Sequence, residues 1–225
     1  MTDSKTTSTK NIKVYKDLMG ENTKWAAKTR ALLQEHNVRM LNIIGSPGCG
    51  KTSLLEAMVD KLGCNINFAV LEGDVETTND AVRLARLNIP VFQLLTGGSC
   101  HLEAKLVHYA LQDLQLDQLD MVIVENVGNL VCPAEFDVGE LAKIAVLSVT
   151  EGEDKPLKYP LLFTEASAVI LSKTDLLPHL TFDVDACLEA ISRVNNQIPI
   201  FQVSSTTDTG MDEIVNWIKQ YGAEE

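Results

Sequence analysis

Short apolar runs separated by amphipathic stretches set the plan of this chain. Val38–Ile44 is apolar and rich in β-branched residues, the mark of a buried strand. Similar runs recur at Ile66–Leu71, Pro90–Leu95, Leu119–Val124, Ile144–Val149, Ala168–Leu171 and Ile198–Val203, which predicts seven strands. Helical spacing fills the intervals. Ser53–Leu62 places Leu54, Leu55, Met58 and Leu62 on one face, and His101–Leu114 repeats Leu102, Leu106, Ala110 and Leu114 every four residues. Asn79–Leu87, Asp183–Val194 and Met211–Tyr221 also read as helices, and Glu151–Pro160 as a charged loop.

Alternation of this kind predicts an α/β fold: a mostly parallel sheet with helices on both faces and ligands at the carboxyl ends of the strands. No internal repeat is present. Residues 1–10 are mainly Thr, Ser and Lys and read as a disordered tail. Residues 11–37 carry Val14, Leu18, Trp25, Leu32 and Leu33, an N-terminal helical segment of one or two helices interrupted near Gly20. Residues 38–225 form the main domain.

The first strand runs into Gly45-Ser46-Pro47-Gly48-Cys49-Gly50-Lys51-Thr52, which spells G-x-x-x-x-G-K-T between a strand and a helix. Glycines allow left-handed backbone and close approach of N–H groups to an anion. The helix N-terminus adds unpaired donors. Lys51 is placed for the β- and γ-phosphates, Thr52 for Mg²⁺, with Ser53 beside them. The alternative, a glycine-rich turn that binds nothing, does not explain both flanks.

Asp74 and Glu125 stand just beyond strand ends on the same edge. A carboxylate there binds Mg²⁺, holds its waters, or orients a water toward the γ-phosphate. Asp80 is a third candidate. Capping of the following helices is the other use for such acids. Ser172-Lys173-Thr174-Asp175 resembles the N/T-K-x-D base-reading motif of GTPases, with Ser172 where asparagine is usual. An aspartate accepts from N1–H and the 2-amino group of guanine, and would face a lone pair on adenine. Lys173 would lie along the base, and Ser204-Ser205 would offer backbone N–H groups to the guanine carbonyl. An ordinary strand-to-helix turn is the alternative.

Cys100-His101 and Cys132 offer two thiols and an imidazole, donors suited to Zn²⁺ or Ni²⁺. Three ligands are one short of a closed zinc site, which two copies in a dimer could complete. Buried thiols and a helix-capping histidine are the alternative. His36, His108 and His179 read as surface or cap residues. The segment Glu125–Pro133 is continuous, so its start would face the γ-phosphate, with Gly128 N–H a donor, and its end would carry Cys132. Ordering by the γ-phosphate would move that thiolate, and linkage makes the coupling reciprocal.

Composition narrows the partners. The chain has 225 residues, 45% of them hydrophobic, enough for one large core. A formal net charge of −12 disfavours nucleic acid and anionic membrane surfaces. No apolar run approaches the ~18 residues of a membrane span and no signal pattern appears, so a cytoplasmic protein is expected. Five cysteines, an odd count, favour reduced thiols over a disulfide frame.

Gly45–Thr52, Glu72-Gly-Asp74, Gly97–Glu103, Glu125–Pro133, Thr150–Asp154 and the Lys173/Asp175 motif together resemble the HypB family of hydrogenase nickel-incorporation GTPases. The resemblance runs from about Val38 to the C-terminus. It implies a slow GTPase of the SIMIBI class that binds GTP or GDP with Mg²⁺ and dimerises around nucleotide. It also implies a Ni²⁺ or Zn²⁺ site from Cys100, His101 and Cys132, and partnership with the nickel chaperone HypA and the hydrogenase large-subunit precursor. No cysteine motif or histidine run precedes the main domain, so an N-terminal nickel depot is not expected. Three rivals remain. Urease nickel-insertion GTPases have a similar layout but place a proline between cysteine and histidine. A metal-binding scaffold would not need Lys51-Thr52 with acidic strand ends. A small-molecule kinase would not need the Lys173/Asp175 motif.

Overall fold

The computed structural model describes residues 4–62, 66–74, 79–87 and 89–223, with side chains from Met19 onward except at 60, 79, 81, 82 and 85. Residues 1–3 and Cys64 lie outside this set. The seven expected strands are present: β1 (Arg39–Gly45), β2 (Phe68–Asp74), β3 (Val91–Leu95), β4 (Met121–Glu125), β5 (Ala142–Ser148), β6 (Ala168–Ser172) and β7 (Ile200–Gln202). They form one sheet in the order β3-β2-β4-β1-β5-β6-β7, and every pairing is parallel.

Helices are α1 (Ser4–Glu35), α2 (Lys51–Leu62), α3 (Asn79–Leu84), α4 (Ala104–Gln112), α5 (Cys132–Glu135), α6 (Lys155–Lys158), α7 (Pro160–Glu165), α8 (Val184–Val194) and α9 (Met211–Gln220). Successive strand residues point to opposite faces, so β1 feeds two cores. Its Leu41 and Ile43 meet Leu54, Leu55 and Met58 of α2 and Ile214 and Ile218 of α9. Its Met40 meets Leu33 of α1 and Val107 and Leu111 of α4. Phe163 of α7 and Ile191 of α8 close a third cluster over β5 and β6. Burial on both faces is why these strands read as nearly continuous apolar runs.

Four differences from the sequence expectation have local causes. Helix α1 is unbroken and begins at Ser4, inside the stretch read as a tail. Glycine costs only about 1 kcal/mol in a helix interior, so Gly20 weakens it without ending it. Strands β2 and β4 run further than their apolar residues. Asp74 pairs with Leu95, and Glu125 with Ile43 and Glu72, so both acids are the last strand residues rather than the first loop residues. Helix α4 starts at Ala104, three residues after His101, leaving that histidine in a loop. The charged loop 151–160 contains α6 and the start of α7, each with a proline in its first turn, where a missing N–H costs nothing.

Candidate nucleotide and metal sites

The phosphate loop is shaped by its glycines and strapped from behind. Gly48 and Gly50 are left-handed (φ 74° and 100°), the conformation glycine tolerates without strain. A Cβ on Gly45 would sit 2.6 Å from the Val146 carbonyl oxygen, so the loop leaves β1 pressed against β5. Ser172 at the end of β6 donates from Oγ to the Cys49 carbonyl (2.6 Å), and Lys173 Nζ donates to the Gly48 carbonyl (2.6 Å). Lys51 is buried and donates to the Gly45 and Ser46 carbonyls (3.4 and 3.3 Å), which holds its ammonium over the loop. The Cys49 thiol packs inside, where burial pushes it up to about 11 and keeps it protonated.

A cleft of about 500 Å³ opens above this loop, lined by Lys51, Thr52, Glu72, Asp74, Asp80 and Glu125. Thr52 Oγ1 donates to Glu125 Oε1 at 2.7 Å. Glu125 is 4% exposed and Glu72 only 2%, and Oε2 of each has no hydrogen-bond partner among the described residues. They lie side by side on β4 and β2. Burial pushes both carboxyls up to about 7, and for Glu72 the charge of Glu125 adds to it. Two buried carboxyls with spare oxygens beside a threonine hydroxyl are a donor set fit for Mg²⁺, which takes oxygen ligands. Sequence reasoning missed Glu72. The signal was Glu-x-Asp at a period of two, which puts Glu72 and Asp74 on one strand face. It also missed Arg83, which pairs with Glu56 (2.6 Å) and Asp80 (3.2 Å) and donates to Ser53 Oγ (3.1 Å), tying α3 to the start of α2.

The residues expected to read the base gather at the far end of the loop. Lys173 is left-handed (φ 60°) and starts the 3-10 turn Thr174–His179 that carries Asp175. Ser204 Oγ donates to Asp175 Oδ1 at 2.6 Å and accepts from the N–H groups of Thr206 and Thr207. Ser205 follows, half-buried. Ser204 thus also orients the aspartate, a role the sequence did not suggest.

Cys100, His101 and Cys132 come together, with one ligand atom from each within 4.8 Å of the others. The thiol sulfurs are 2.7 Å apart, and Cys100 Sγ is 3.7 Å from His101 Nδ1. The imidazole stacks on Phe136 (centroids 3.7 Å apart, 30° between planes). Its Nε2 is buried without a partner among the described residues. Burial lowers the His101 pKa and favours the neutral ring, the form that binds metal. The neighbouring Cys100 raises the Cys132 thiol, the cost of placing two ionisable sulfurs together. Two soft thiols and an imidazole fit Ni²⁺ or Zn²⁺. Of the other histidines, His36 lies 2.6 Å from Asp117. His108 is not a surface residue: it is buried beneath Trp25 of α1, at 5.2 Å between ring centroids.

The two sites are physically continuous. A Cβ on Gly128 would fall 2.8 Å from Pro47, so the segment after Glu125 lies on the phosphate loop. Asn126, fully buried, accepts through Oδ1 from the N–H groups of Val127 (3.0 Å) and Leu102 (3.4 Å) and donates to Asn42 Oδ1 (3.1 Å). Asn42 donates in turn to Glu140 Oε1. The residue after the buried glutamate therefore touches the residue after His101.

Comparison with known proteins gives the family and the fold. The family described as CobW/HypB/UreG, nucleotide-binding domain, matches residues 39–202. The hydrogenase maturation factor HypB of Azotobacter vinelandii is 47% identical over 211 residues, 93% of this chain and 69% of the relative. The hydrogenase/urease maturation factor HypB of Helicobacter hepaticus is 37% identical and covers 96% of this chain and 90% of its own. The crystal structure of HypB from Helicobacter pylori in complex with nickel superposes with a TM-score of 0.85 at 36% identity, covering 91% of this chain and 99% of that one. Among the described residues no helix is long and apolar enough to cross a membrane.

Proposed function

This chain belongs to the CobW/HypB/UreG family of nucleotide-binding domains, among the HypB hydrogenase maturation factors, and on that premise we propose that it is a GTPase whose nucleotide state sets its hold on nickel. Gly45–Thr52 and Ser53 hold the phosphates, and Lys51 neutralises charge at the β,γ-bridge. Thr52 and Glu125 would hold Mg²⁺, with Asp74 and Asp80 as further candidate ligands. Bound Mg²⁺ would supply charge neutralisation at the β- and γ-phosphate oxygens. Asp74 or Glu125 orients the attacking water. Asp175, Lys173, Ser204 and Ser205 read guanine. Cys100, His101 and Cys132 carry Ni²⁺ or Zn²⁺ as cargo. The protein works in the cytoplasm as a homodimer, receives or passes metal with a HypA-type chaperone, and serves the hydrogenase large-subunit precursor.

The observation that carries this reading is the single segment from Glu125 to Cys132. It starts on the Thr52 hydroxyl, crosses Pro47 at Gly128 and ends at the Cys100 thiol. A change at the γ-phosphate is thereby connected to a metal ligand seven residues away in sequence. Ni²⁺ and Zn²⁺ affinities measured with GDP and with a non-hydrolysable GTP analogue, alongside light scattering, test it. Affinity and mass should change together between the two nucleotides, and Cys132→Ala should abolish the difference. Equal affinity in both states would remove the coupling. A second reading, delivery to urease as well as hydrogenase, is favoured by the name of the Helicobacter hepaticus relative. Complementation of strains lacking one maturation or the other would separate the two.

A further inference from the structure

Asn22 sits in α1, far in sequence from every proposed ligand, yet it is 8% exposed and fully engaged. Its Oδ1 accepts from Ala104 N at 2.9 Å, and its Nδ2 donates to the Asp137 carbonyl at 2.7 Å. Ala104 opens α4 three residues after His101, and the residue before it, Glu103, makes no side-chain cap. Asn22 therefore caps α4 from another helix. Asp137 follows Phe136, the residue stacked on the His101 ring, and lies five residues after Cys132. One amide thus ties the loop that carries Cys100 and His101 to the loop that follows Cys132.

The rest of α1 reinforces the tie. Arg30 pairs with Asp137 at 2.6 Å. Gly139 (φ 92°) presses so close to Thr29 that a Cβ would lie 2.6 Å from its side chain. A small cleft of about 160 Å³ has Glu21, Asn22 and Trp25 of α1 on one wall and His101, Glu103 and Phe136 on the other. Asparagine is a poor helix former and costly to bury, so its place here needs a reason beyond helix packing.

We propose that Asn22 is a positioning residue of the metal site, and that α1 is a clasp which holds the two ligand loops in register. This rests on the assignment of Cys100, His101 and Cys132 as metal ligands. Residues that orient ligands from behind typically change metal affinity 10–100-fold when removed. Displacing α1 would then loosen the site through Ala104 and Asp137, contacts that Asn126 does not make.

The test uses the full chain and two metals. Zn²⁺ and Ni²⁺ affinities are measured by chelator competition, and release rates into excess chelator. Co²⁺ substitution gives the thiolate charge-transfer band. Asn22→Ala should lower affinity at least tenfold, speed release, and shift or weaken the Co²⁺ band, with GTP affinity within twofold of wild type. Asn22→Asp keeps the acceptor for the Ala104 N–H but sets a carboxylate oxygen against the Asp137 carbonyl. It should move in the same direction, and it carries the test if the alanine variant does not fold. Leu33→Ala, in the buried end of α1 away from the ligands, should lower stability but leave all metal readouts unchanged. Metal binding within twofold of wild type in both Asn22 variants, with Cys132→Ala still losing it, would overturn the clasp. Unchanged binding in Cys132→Ala would overturn the ligand assignment itself, and the clasp with it. Loss of affinity in Leu33→Ala equal to that in Asn22→Ala would show that α1 acts by stability alone and would also overturn the proposal.

Discussion

Glu125→Gln should stabilise the protein while disabling its proposed nucleotide site. The buried carboxyl keeps its proton up to about pH 7 because ionising it there is unfavourable, whereas in the unfolded chain it loses the proton near 4.5. The native state therefore binds more protons across that interval. The contribution to stability is fully present below about pH 4.5 and is lost as pH rises to about 7. At about 1.4 kcal/mol per pH unit, the ionised carboxylate carries a penalty of about 3 kcal/mol at pH 8. Glutamine keeps an oxygen for the Thr52 hydroxyl and cannot ionise. The variant should be about 3 kcal/mol more stable than wild type at pH 8 and close to it at pH 4.5. For a chain of this size that corresponds to roughly 6–12 °C in melting temperature. Urea or thermal unfolding at several pH values, without nucleotide and with Mg²⁺ chelated, gives the comparison. Mg²⁺-dependent GTP affinity should fall in the same variant. Parallel pH profiles for the two proteins would refute the argument, since they would mean that Glu125 is already ionised and solvated in the folded state.

Other substitutions probe single contacts. Gly128→Ala inserts a methyl group 2.8 Å from Pro47, so it should push the segment off the phosphate loop and weaken binding of a GTP analogue more than of GDP, as read by calorimetry. Asp175→Asn exchanges an acceptor for a donor. Affinity for GTP should fall at least tenfold in competition binding, while xanthosine triphosphate, with a carbonyl in place of the 2-amino group, should gain. Ser172→Ala removes the bond to the Cys49 carbonyl and leaves that group buried. It should cost about 1–2 kcal/mol in urea unfolding and loosen nucleotide binding through the loop.

The parts that the sequence made legible are those where local pattern and local chemistry coincide. The run Val38–Ile44, the glycine spelling and the face of Leu54, Leu55 and Met58 each specify the same strand–loop–helix unit. Cys100, His101 and Cys132 were also singled out from the sequence, and the fold brings them together, with Cys132 opening α5. What escaped was polar and long-range. Glu72 fell just past the apolar run Ile66–Leu71, but pairing with β3 carried the strand on through it, and it is buried. Asn22, Asn42, Asn126 and Glu140 leave no periodic trace, since their partners lie on other elements. His108 is buried only because Trp25 arrives from a helix more than eighty positions earlier.

The strand order has a consequence for how the chain is made. β1 pairs with β4 and β5 and with nothing nearer, so its first partner begins at Met121, about 80 residues after β1 is complete. During synthesis at about 5–20 residues per second, both edges of an apolar strand stay open for several seconds. The phosphate loop, whose start leans on β5, cannot take its shape until that strand has docked. Newly made chains should therefore pass through a stage with β2 and β3 paired, β1 unsatisfied and no ability to bind nucleotide. In that interval an open parallel edge is most exposed to misassociation, and a holdase would matter most.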